Sequence, residues 1–561
     1  MGETDGAFPA YQELDDLWHT FQGRWTMNFS PVAMGLSVAD WAMHLMNSPG
    51  TWVRLGTGFA DAWSRSVEAR FKPDVESSDW NQEPFATLRM GFEVFSNWWE
   101  ESVTTVPGMD SRHRDFFTFL GRQVLHSANP SHHLATNPEL LAQTTMETGE
   151  NLVRGATNFM EDAMHYGLGI RRNEPVFKVG KELAATPGEV IYRNRLMELI
   201  QYRPQTEEVF ENPVLLVPAW IMKYYILDLT PEKSMVEYLV GKGHTVFVLS
   251  WKNPGYDDRE TTLEDYIELG VMEAMDRVWE VCGERKIHGA GYCLGGTIFA
   301  MAASAMARDG DDRLKSLTML AAQTDFSEAG ELMLFIDDAQ LQFLEDIMSF
   351  QGYLDAGQMA GAFQMLRSSD LIWARWVSRY LKGEPEPESE LMSWNADATR
   401  MPSAMHSRYL RDLFLNNDFF EGRFKVKGLP VVISDIHVPV FIVATENDHV
   451  APWNSVYKYH LSSDARTVTF VLTSGGHNAG IISYPGHPGR RYRIATVREG
   501  ERYIPPGLWI HRNEAKKGSW WPDWQKWLMA ASGPHVSPPA MASFSGSGGP
   551  SPAPGRYVHM A

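Results

Sequence analysis

The pattern of apolar residues changes near residue 190. Before that point, apolar side chains recur at helical spacing, as in Phe92, Phe95 and Trp98, with polar and Pro-containing breaks between the segments. This periodicity predicts a mostly helical N-terminal domain over residues 1–190. Its aromatic side chains are assigned to helix packing rather than to ligand binding, so the chemistry is expected further along the chain.

From residue 191 onwards, short apolar runs alternate with amphipathic helical segments. Strands that are apolar along their whole length and separated by helices are typical of a mostly parallel sheet with helices on both faces. N-cap signals mark two of the helices, Thr230 before Pro231 and a capping box of Thr261 and Glu264. The predicted strands are ENPVLLVPAW (211–220), HTVFVLSW (244–251), the start of KIHGAGYCLGG (286–296), KSLTMLAA (315–322), VPVFIVATENDH (438–449) and TVTFVLTSGGH (467–477).

Two segments depart from this alternation. Residues 323–430 are rich in Met, Trp and Phe at helical spacing, and they interrupt the strands of a catalytic domain that spans 191–530. We favour a helical cap over the carboxyl edge of the sheet, with a separate helical subdomain as the alternative. Residues 531–561 are rich in Pro, Ser and Gly, which predicts a flexible C-terminal tail.

A glycine-flanked turn carries the first candidate for chemistry. Residues 291–295, GYCLG, form a G-x-C-x-G pattern between a predicted strand and a predicted helix. In G-x-S-x-G turns the central residue is a nucleophile on a strained bend at a helix N-terminus. A Cys at this position gives a thiolate that the helix N-terminus stabilises. On these five residues alone, a buried structural Cys293 is an equal alternative.

Two further residues complete a nucleophilic site in the required chain order. Asp448 ends one predicted strand and His477 follows the next, so the order is Cys293, Asp448, His477. Both lie after carboxyl ends of strands, where open α/β sheets place their sites. Asp448 is preferred to Glu446 because it is the last acid before the following turn, and His449 is assigned a supporting role.

The remaining candidate residues follow from this assignment. The backbone N–H of Leu294 is expected to bind a developing oxyanion, with a second N–H near Trp220 or Ile221. His288 lies within a predicted strand and Cys282 near a helix end, so both are interpreted as structural. No metal site is expected.

Composition excludes several classes of function. The formal net charge is −20, from 50 basic and 70 acidic residues, which argues against a nucleic-acid partner. Two cysteines exclude a disulfide framework and favour a reducing compartment. The start of the chain lacks an apolar signal segment, and no apolar stretch reaches the ~18 residues that a transmembrane helix needs. A cytoplasmic location is therefore expected.

The choice of Cys over Ser favours acyl transfer. A thiolate exchanges acyl groups with a thioester without losing them as free acid, and an acyl-Cys stays activated for a hydroxyl acceptor. A thioester or ester hydrolase on the same fold is one alternative. A non-enzymatic scaffold with a vestigial turn is another, although the intact Cys293, Asp448 and His477 argue against it.

Longer motifs resemble a known family, the polyhydroxyalkanoate synthases of the α/β-hydrolase superfamily, and specifically the class I poly(3-hydroxybutyrate) synthases. The similarity covers most of the chain and is far more specific than the pentapeptide. It rests on VPAWIMKYYILDLTPEKS (217–234), VFVLSWKNP (246–254), GYCLGGT (291–297), LPVVISDIHVPVFIVATENDHVAPW (429–453), SGGHNAGIISYPG (474–486) and the terminal PGRYV.

The resemblance implies a function and partners. It implies that Cys293 carries the acyl group, that His477 is the general base and that Asp448 is its partner. It implies polymerisation of (R)-3-hydroxyacyl-CoA, foremost 3-hydroxybutyryl-CoA, with release of CoA, which is part of the substrate and not a cofactor. It also implies a homodimer with a moving cap, at the surface of polyester granules, together with granule-associated proteins.

Two features favour class I over the medium-chain class, which remains an alternative. Leu294-Gly295-Gly296 follows the Cys, and Ala479 stands where medium-chain enzymes carry a polar residue. The chain departs from the family pattern at Ala219 and Met222, where a second Pro and an Asn are common. These departures concern the loop expected to provide the second oxyanion donor.

Overall fold

Helices make up the described part of the N-terminal region. The structure is a computed structural model that describes residues 9–70, 79–168, 176–386 and 388–561. The predicted mostly helical N-terminal region is confirmed, and none of the helices in the described ranges has the length and apolar character needed to cross a membrane. The helices are α1 (Pro9–Thr26), α2 (Pro31–Met46), α3 (Pro49–Arg70), α4 (Phe85–Thr104), α5 (Ser111–Ala128), α6 (Pro138–Met146) and α7 (Glu150–Leu168).

Side-chain caps fix the starts of several of these helices. Ser30 caps α2 by accepting a hydrogen bond from the Ala33 N–H, with Pro31 in the first turn. Asp110 caps α5 and Asn137 caps α6 in the same way. Each cap satisfies N–H groups that have no partner inside the helix, so the helix boundaries are set locally by the sequence.

The second part of the chain is organised around one large sheet. Its strands and the minor strands beside it are β1 (Gly188–Arg193), β2 (Met197–Tyr202), β3 (Val209–Phe210), β4 (Val214–Val217), β5 (Val246–Trp251), β6 (Ile287–Tyr292), β7 (Leu314–Leu320), β8 (Tyr353–Leu354), β9 (Met401–Pro402), β10 (Lys425–Val426), β11 (Leu429–Pro430), β12 (Val440–Thr445), β13 (Thr467–Thr473), β14 (Arg491–Arg498), β15 (Lys516–Lys517), β16 (His535–Val536), β17 (Ser545–Gly546) and β18 (Ser551–Pro552).

The centre of the sheet is parallel and fully covered. The strand order is β15-β14-β13-β12-β7-β6-β4-β5-β2-β1-β17, with β18 also paired to β1. Neighbours from β5 across to β13 pair in parallel, whereas β2 and β14 pair antiparallel at either side. Strands β4, β5, β6 and β12 are buried along their whole length, as the continuous apolar runs predict. The predicted α/β-hydrolase fold is confirmed.

Helices cover both faces of this sheet and also form the long segment between β7 and β12. Four π-helical stretches interrupt or extend them, at Tyr266–Met272, Ser369–Trp373, Trp376–Leu381 and Tyr409–Leu415. The helices are α8 (Met235–Gly241), α9 (Leu263–Asp265), α10 (Glu273–Val281), α11 (Leu294–Arg308), α12 (Asp338–Gln351), α13 (Ala356–Leu366), α14 (Glu390–Asn395), α15 (Ser403–Arg408), α16 (Trp453–Tyr457), α17 (Tyr459–Ser462), α18 (His477–Ile481), α19 (Pro506–Arg512) and α20 (Trp521–Ala531).

The predicted capping box is wrong by one residue. Thr262 caps α9, and the Asp265 side chain accepts a hydrogen bond from the Thr262 N–H. Thr261 is buried, and its hydroxyl accepts a hydrogen bond from Arg195 at 3.1 Å, so it is not free to cap. Thr230 does occupy the predicted N-cap position, before a 3₁₀ helix at Pro231–Lys233, but its side chain makes no capping hydrogen bond. The α-helix α8 begins four residues later and is capped by Ser234.

Residues 321–439, between β7 and β12, form the insertion that the sequence predicts as helical. The N-terminal helices pack on it through α1 and α12. His19 Nδ1 lies 2.7 Å from Asp346 Oδ2, and a Cβ on Gly23 would lie 2.9 Å from the Ile347 side chain. The insertion therefore lies against the N-terminal helices as well as the sheet.

The C-terminal tail differs from its predicted flexibility. Strands β17 and β18 pair with β1, and β16 pairs with β3. The buried ion pair of Arg193 and Glu198 holds this segment: Arg193 donates to the carbonyl oxygens of Ser547 and Gly549, and Glu198 accepts from the Tyr557 N–H at 3.0 Å. The backbone groups of the Pro-, Ser- and Gly-rich tail therefore form hydrogen bonds with the charged side chains of Arg193 on β1 and Glu198 on β2.

Glu198→Gln is expected to lower the free energy of unfolding by about 3 kcal/mol, because it leaves the Arg193 guanidinium buried without a counter-charge. Urea denaturation measures this loss, and limited proteolysis reports whether the tail detaches. Glu189→Gln is the matched control, since Glu189 pairs with Arg203 at the surface and its loss is expected to cost less than about 1 kcal/mol. Equal effects of the two substitutions would contradict the role assigned to the buried pair.

Candidate active site

Cys293 lies in the sharp turn between β6 and α11, with φ 52° and ψ −124°. Such a conformation costs about 1–3 kcal/mol for a residue with a side chain and persists only where the surroundings enforce it. A Cβ on Gly291 would lie 2.3 Å from the Gly296 Cα, and one on Gly295 would lie 2.1 Å from the Val217 carbonyl oxygen. The flanking glycines are therefore required by the close approach of β4, β6 and α11.

The structure brings the three residues of the predicted nucleophilic site together. Asp448 follows β12, and His477 is the first residue of α18 after β13. His477 Nδ1 lies 2.8 Å from Asp448 Oδ2, and Cys293 lies near enough to the imidazole to raise its pKa. With Nδ1 held by the carboxylate, Nε2 is the ring nitrogen that remains available for proton transfer. This is the geometry of a nucleophile, a base and an orienting acid.

The Asp448 carboxylate is held by its own loop. Its Oδ1 accepts hydrogen bonds from the N–H groups of Val450 at 2.9 Å and Ala451 at 2.8 Å. Its Oδ2 accepts from the Thr445 hydroxyl at 3.0 Å as well as facing His477. These contacts fix the carboxylate, and through it the tautomer and orientation of the imidazole.

The charges within the site oppose the effect of burial. Burial by itself would raise the pKa of Asp448, but the charge of His477 and the hydrogen bonds to the carboxylate hold that pKa below its usual range. Burial would lower the pKa of His477, whereas the charges of Asp448 and Cys293 raise it well above its ordinary value. These directions favour a protonated imidazole beside an ionised Asp448.

Tyr292 and Asn478 support the imidazole, and sequence reasoning missed both roles. The Tyr292 hydroxyl donates to Asn478 Oδ1 at 2.5 Å, and the Tyr292 ring lies 5.6 Å from the His477 ring. The contact joins β6 to the start of α18, so the strand that carries the nucleophile also positions the helix that carries the base. The position of a Tyr directly before the Cys is the signal that could have suggested it.

Leu294 and the loop after β4 lie where the oxyanion donors are predicted. Leu294 is the first residue of α11, and the first N–H groups of a helix have no partner within it. Ile221 lines the same cavity as Cys293, whereas Trp220 is buried between Tyr266 and Tyr409. Trp220 therefore anchors the loop with its side chain.

The loop after β4 is held from two directions. Thr399 of the insertion donates through its hydroxyl to the Trp220 carbonyl and through its N–H to the Ile221 carbonyl at 3.0 Å. From the other side, buried Lys223 donates to the carbonyl oxygens of Tyr557 at 3.1 Å and Met560 at 2.6 Å. The C-terminal residues thus brace the loop, which the predicted flexible tail did not anticipate.

The other candidate residues lie around this centre. Glu446 forms ion pairs with Arg491 and Arg493. His449 is half-exposed and lies 3.9 Å from Glu331 Oε1 at the edge of the insertion. Ala479 lies within α18, two residues after His477.

The two residues interpreted as structural are buried. His288 lies between the hydroxyls of Ser316 at 2.7 Å and Ser532 at 3.0 Å, and burial lowers its pKa to about 3. Burial raises the pKa of the Cys282 thiol to about 12, so this thiol stays protonated. Neither group carries charge at neutral pH.

A cavity of about 110 Å³ lies above Cys293. Its lining combines Cys293, Leu294 and Thr297 with side chains from the insertion and, unexpectedly, Met27–Phe29 of the N-terminal region. Among the described residues that line it, none is Lys, Arg, Asp or Glu, so it suits an apolar acyl group rather than the phosphates of a carrier. The insertion contributes Ala321, Gln323, Leu332, Phe335, Ile336, Gln340, Leu344, Leu354, Gln358, Met359, Ala362, Phe363, Met401, His406, Tyr409, Leu410 and Phe414.

The sheet order and the turn at Cys293 define the class, an α/β-hydrolase fold with a cysteine in the nucleophile position. Residues 212–482 match the family model described as "alpha/beta hydrolase fold". Residues 68–239 match "Poly-beta-hydroxybutyrate polymerase (PhaC) N-terminus", and residues 9–51 match "Poly-beta-hydroxybutyrate polymerase N terminal". The chain belongs to the poly(3-hydroxyalkanoate) polymerase family, which confirms the resemblance seen in the sequence.

Full-length relatives support the same assignment. The chain is 40% identical over 527 residues to a poly(3-hydroxyalkanoate) polymerase of Methylorubrum extorquens, covering 90% of this chain and 86% of that protein. It is 37% identical to the poly(3-hydroxyalkanoate) polymerase subunit PhaC of Rhizobium meliloti, covering 90% and 84%. The corresponding subunit of Cupriavidus necator is 35% identical, covering 90% and 85%. The similarity therefore extends over both the N-terminal helices and the α/β domain.

Proposed function

We propose that the chain polymerises (R)-3-hydroxyacyl-CoA, foremost 3-hydroxybutyryl-CoA, to a polyester with release of CoA. The observation that carries the proposal is the Cys293–His477–Asp448 arrangement, with 2.8 Å between His477 Nδ1 and Asp448 Oδ2, beneath an apolar cavity. Membership of the polymerase family supports the choice of substrate and product. CoA enters as part of the substrate and leaves as a product, so no cofactor is required.

The first half-reaction transfers the acyl group to the enzyme. The Cys293 thiolate attacks the thioester carbonyl, and the Leu294 N–H at the start of α11 stabilises the oxyanion that forms. The C–S bond to CoA then breaks, and the imidazolium of His477 donates its proton to the departing CoA thiolate. The product is an acyl-Cys293 and a neutral His477, with Asp448 still holding Nδ1.

The second half-reaction extends the polyester. A hydroxyl group, from a growing chain or a second hydroxyacyl unit, attacks the acyl-Cys carbonyl while neutral His477 removes its proton. The Cys293–acyl C–S bond breaks, the thiolate is restored, and an oxoester bond remains in the product. The apolar lining of the cavity favours this acceptor over water, which would release the acyl group as free acid.

Assembly and location complete the proposal. We include a homodimer with a cap that moves, in the cytoplasm at the surface of polyester granules, with granule-associated proteins as further partners. Exposed apolar side chains on α1, among them Leu14, Trp18 and Trp25, support an apolar contact surface on the N-terminal helices. Sedimentation of the protein with and without polymer measures both self-association and granule binding. A monomer that does not sediment with polymer would contradict the proposed dimer and the proposed location.

Purified protein is expected to release CoA from (R)-3-hydroxybutyryl-CoA and to form insoluble polymer in step with it. A thiol reagent measures the CoA, and sedimentation followed by methanolysis measures the polymer. CoA release with free 3-hydroxy acid and no polymer would instead support the hydrolase alternative. Faster turnover of a ten-carbon 3-hydroxyacyl-CoA would support the medium-chain alternative, and binding to granules without turnover would support the scaffold.

A further inference from the structure

The cavity above Cys293 has a wall that the α/β domain does not supply. Met27, Asn28 and Phe29, in the turn between α1 and α2, line it together with the insertion. Phe29 is buried, whereas Met27 is largely exposed at the outer side. The N-terminal helices therefore reach into the space where the acyl group of the proposed reaction lies.

The shape of this turn is imposed by the insertion. Met27 and Asn28 have φ of 54° and 64°, in the left-handed region that residues with side chains adopt only when surrounding contacts enforce it. The Gln340 side chain supplies such contacts: its Oε1 accepts from the Ser30 N–H at 2.7 Å, and its Nε2 donates to the Asn28 carbonyl at 2.8 Å. Gln340 is buried on the first turn of α12, so its bond to Ser30 is shielded from water and its bond to Asn28 is partly shielded.

Two further contacts hold the turn against the cavity. Gln358 of α13 donates to Asn28 Oδ1 at 3.2 Å. The Phe29 ring packs 5.1 Å from the Phe335 ring, and Phe335 lines the same cavity from the insertion. Phe116 of α5 backs Phe29 at 6.0 Å. The turn is thus held by hydrogen bonds to Asn28 on one side and by the packing of the Phe29 ring on the other.

We propose that the α1–α2 turn, residues 27–30, limits the length of the acyl side chain that fits above Cys293. Phe29 is the specificity-determining residue, and Gln340, which also lines the cavity, holds the turn in position. The inference rests on the proposed function. It assigns to the N-terminal helices a direct part in substrate selection, beyond packing or association.

The test compares Gln340→Met with Gln342→Met, its matched control on the exposed side of α12. CoA release is measured from (R)-3-hydroxybutyryl-CoA and (R)-3-hydroxyhexanoyl-CoA. Because the side chains of these substrates differ by two methylenes, the ratio of kcat/KM for the longer over the shorter is expected to rise by about fivefold or more in Gln340→Met. Gln342→Met is expected to leave the ratio unchanged.

Phe29→Leu provides an independent variant, with Phe95→Leu on the outer side of α4 as its control. The ratio is expected to rise in Phe29→Leu alone. Circular dichroism and the thermal midpoint show whether each variant folds. If Gln340→Met does not fold, the kcat/KM ratio of Phe29→Leu alone tests the inference. An equal loss on both substrates, or no change, in folded variants would overturn the inference. Absence of CoA release by the unmodified protein would overturn the proposed function, and the inference with it.

Discussion

Cys293→Ala is expected to abolish CoA release, with a loss of at least about 10³-fold in rate, because it removes the group that carries the acyl chain in the proposed mechanism. Cys293→Ser is expected to fail as well, since a serine hydroxyl in the same turn has no accessible anionic form at neutral pH. Alanine adopts the strained turn at φ 52° no more easily than cysteine, so the substitution gains no folding energy there. A CoA-release assay with a continuous thiol reagent measures the loss.

Cys282→Ala is the control for this experiment. Cys282 is also buried, but it lies at the end of α10 and its thiol stays protonated. Its loss is expected to leave turnover within about twofold of the unmodified protein, whereas the small cavity it creates lowers stability. Near-normal activity of Cys293→Ala, or a comparable loss in Cys282→Ala, would remove Cys293 from the mechanism.

Local pattern was enough to predict the sheet and the turn at Cys293. The central strands are apolar along their length because both faces are covered, and that leaves a continuous run in the sequence. The glycines around Cys293 are required because a Cβ at Gly291 or Gly295 would lie only 2.1–2.3 Å from neighbouring backbone atoms, so they also leave a signature in the sequence. The positions of Asp448 and His477 followed from chain order, because strand ends at one edge of a parallel sheet meet in space.

What could not be predicted depends on contacts between distant parts of the chain. Nothing in the composition of residues 545–561 shows that Arg193 and Glu198 offer buried partners for their backbone. The contact of Gln340 with the α1–α2 turn joins residues 310 positions apart, and no local periodicity records it. The capping error has a similar origin, since Thr261 and Thr262 both precede an acid by three residues and only the contact of Arg195 with Thr261 selects between them.

These distant contacts share one consequence for the site. The sheet positions Cys293, Asp448 and His477, but the loop after β4 is braced by Thr399 and by Lys223. The proposed catalytic residues are therefore positioned by the α/β-hydrolase fold. The cavity around them is enclosed by the insertion and the N-terminal helices, and the C-terminal residues hold the loop after β4 through Lys223. A substitution in those parts is expected to alter access and selectivity before it alters the chemical step.

His477→Ala is expected to reduce both half-reactions by at least about 10³-fold, because in the proposed mechanism the same imidazole protonates CoA and deprotonates the acceptor hydroxyl. Asp448→Asn is expected to slow the two half-reactions to different extents. It removes the charge that raises the pKa of His477, so that pKa falls and the imidazolium facing Cys293 is lost at a lower pH. Acylation in Asp448→Asn is expected to fall by about tenfold at neutral pH, and to recover as the pH is lowered. Quenched-flow measurement of the CoA burst isolates this step.

The rate of the second half-reaction, attack of the acceptor hydroxyl on the acyl-Cys, is expected to fall further in Asp448→Asn, by about 10³-fold. A neutral His477 must then accept a proton without the carboxylate that stabilises the resulting cation. The steady-state rate measures this step. Glu446→Gln is the matched control, because Glu446 lies two residues away but pairs with Arg491 and Arg493, and it should leave both rates unchanged. Equal losses in the burst and the steady state would mean that Asp448 acts on thiolate formation as strongly as on proton removal from the acceptor, and the division of labour proposed here would be wrong.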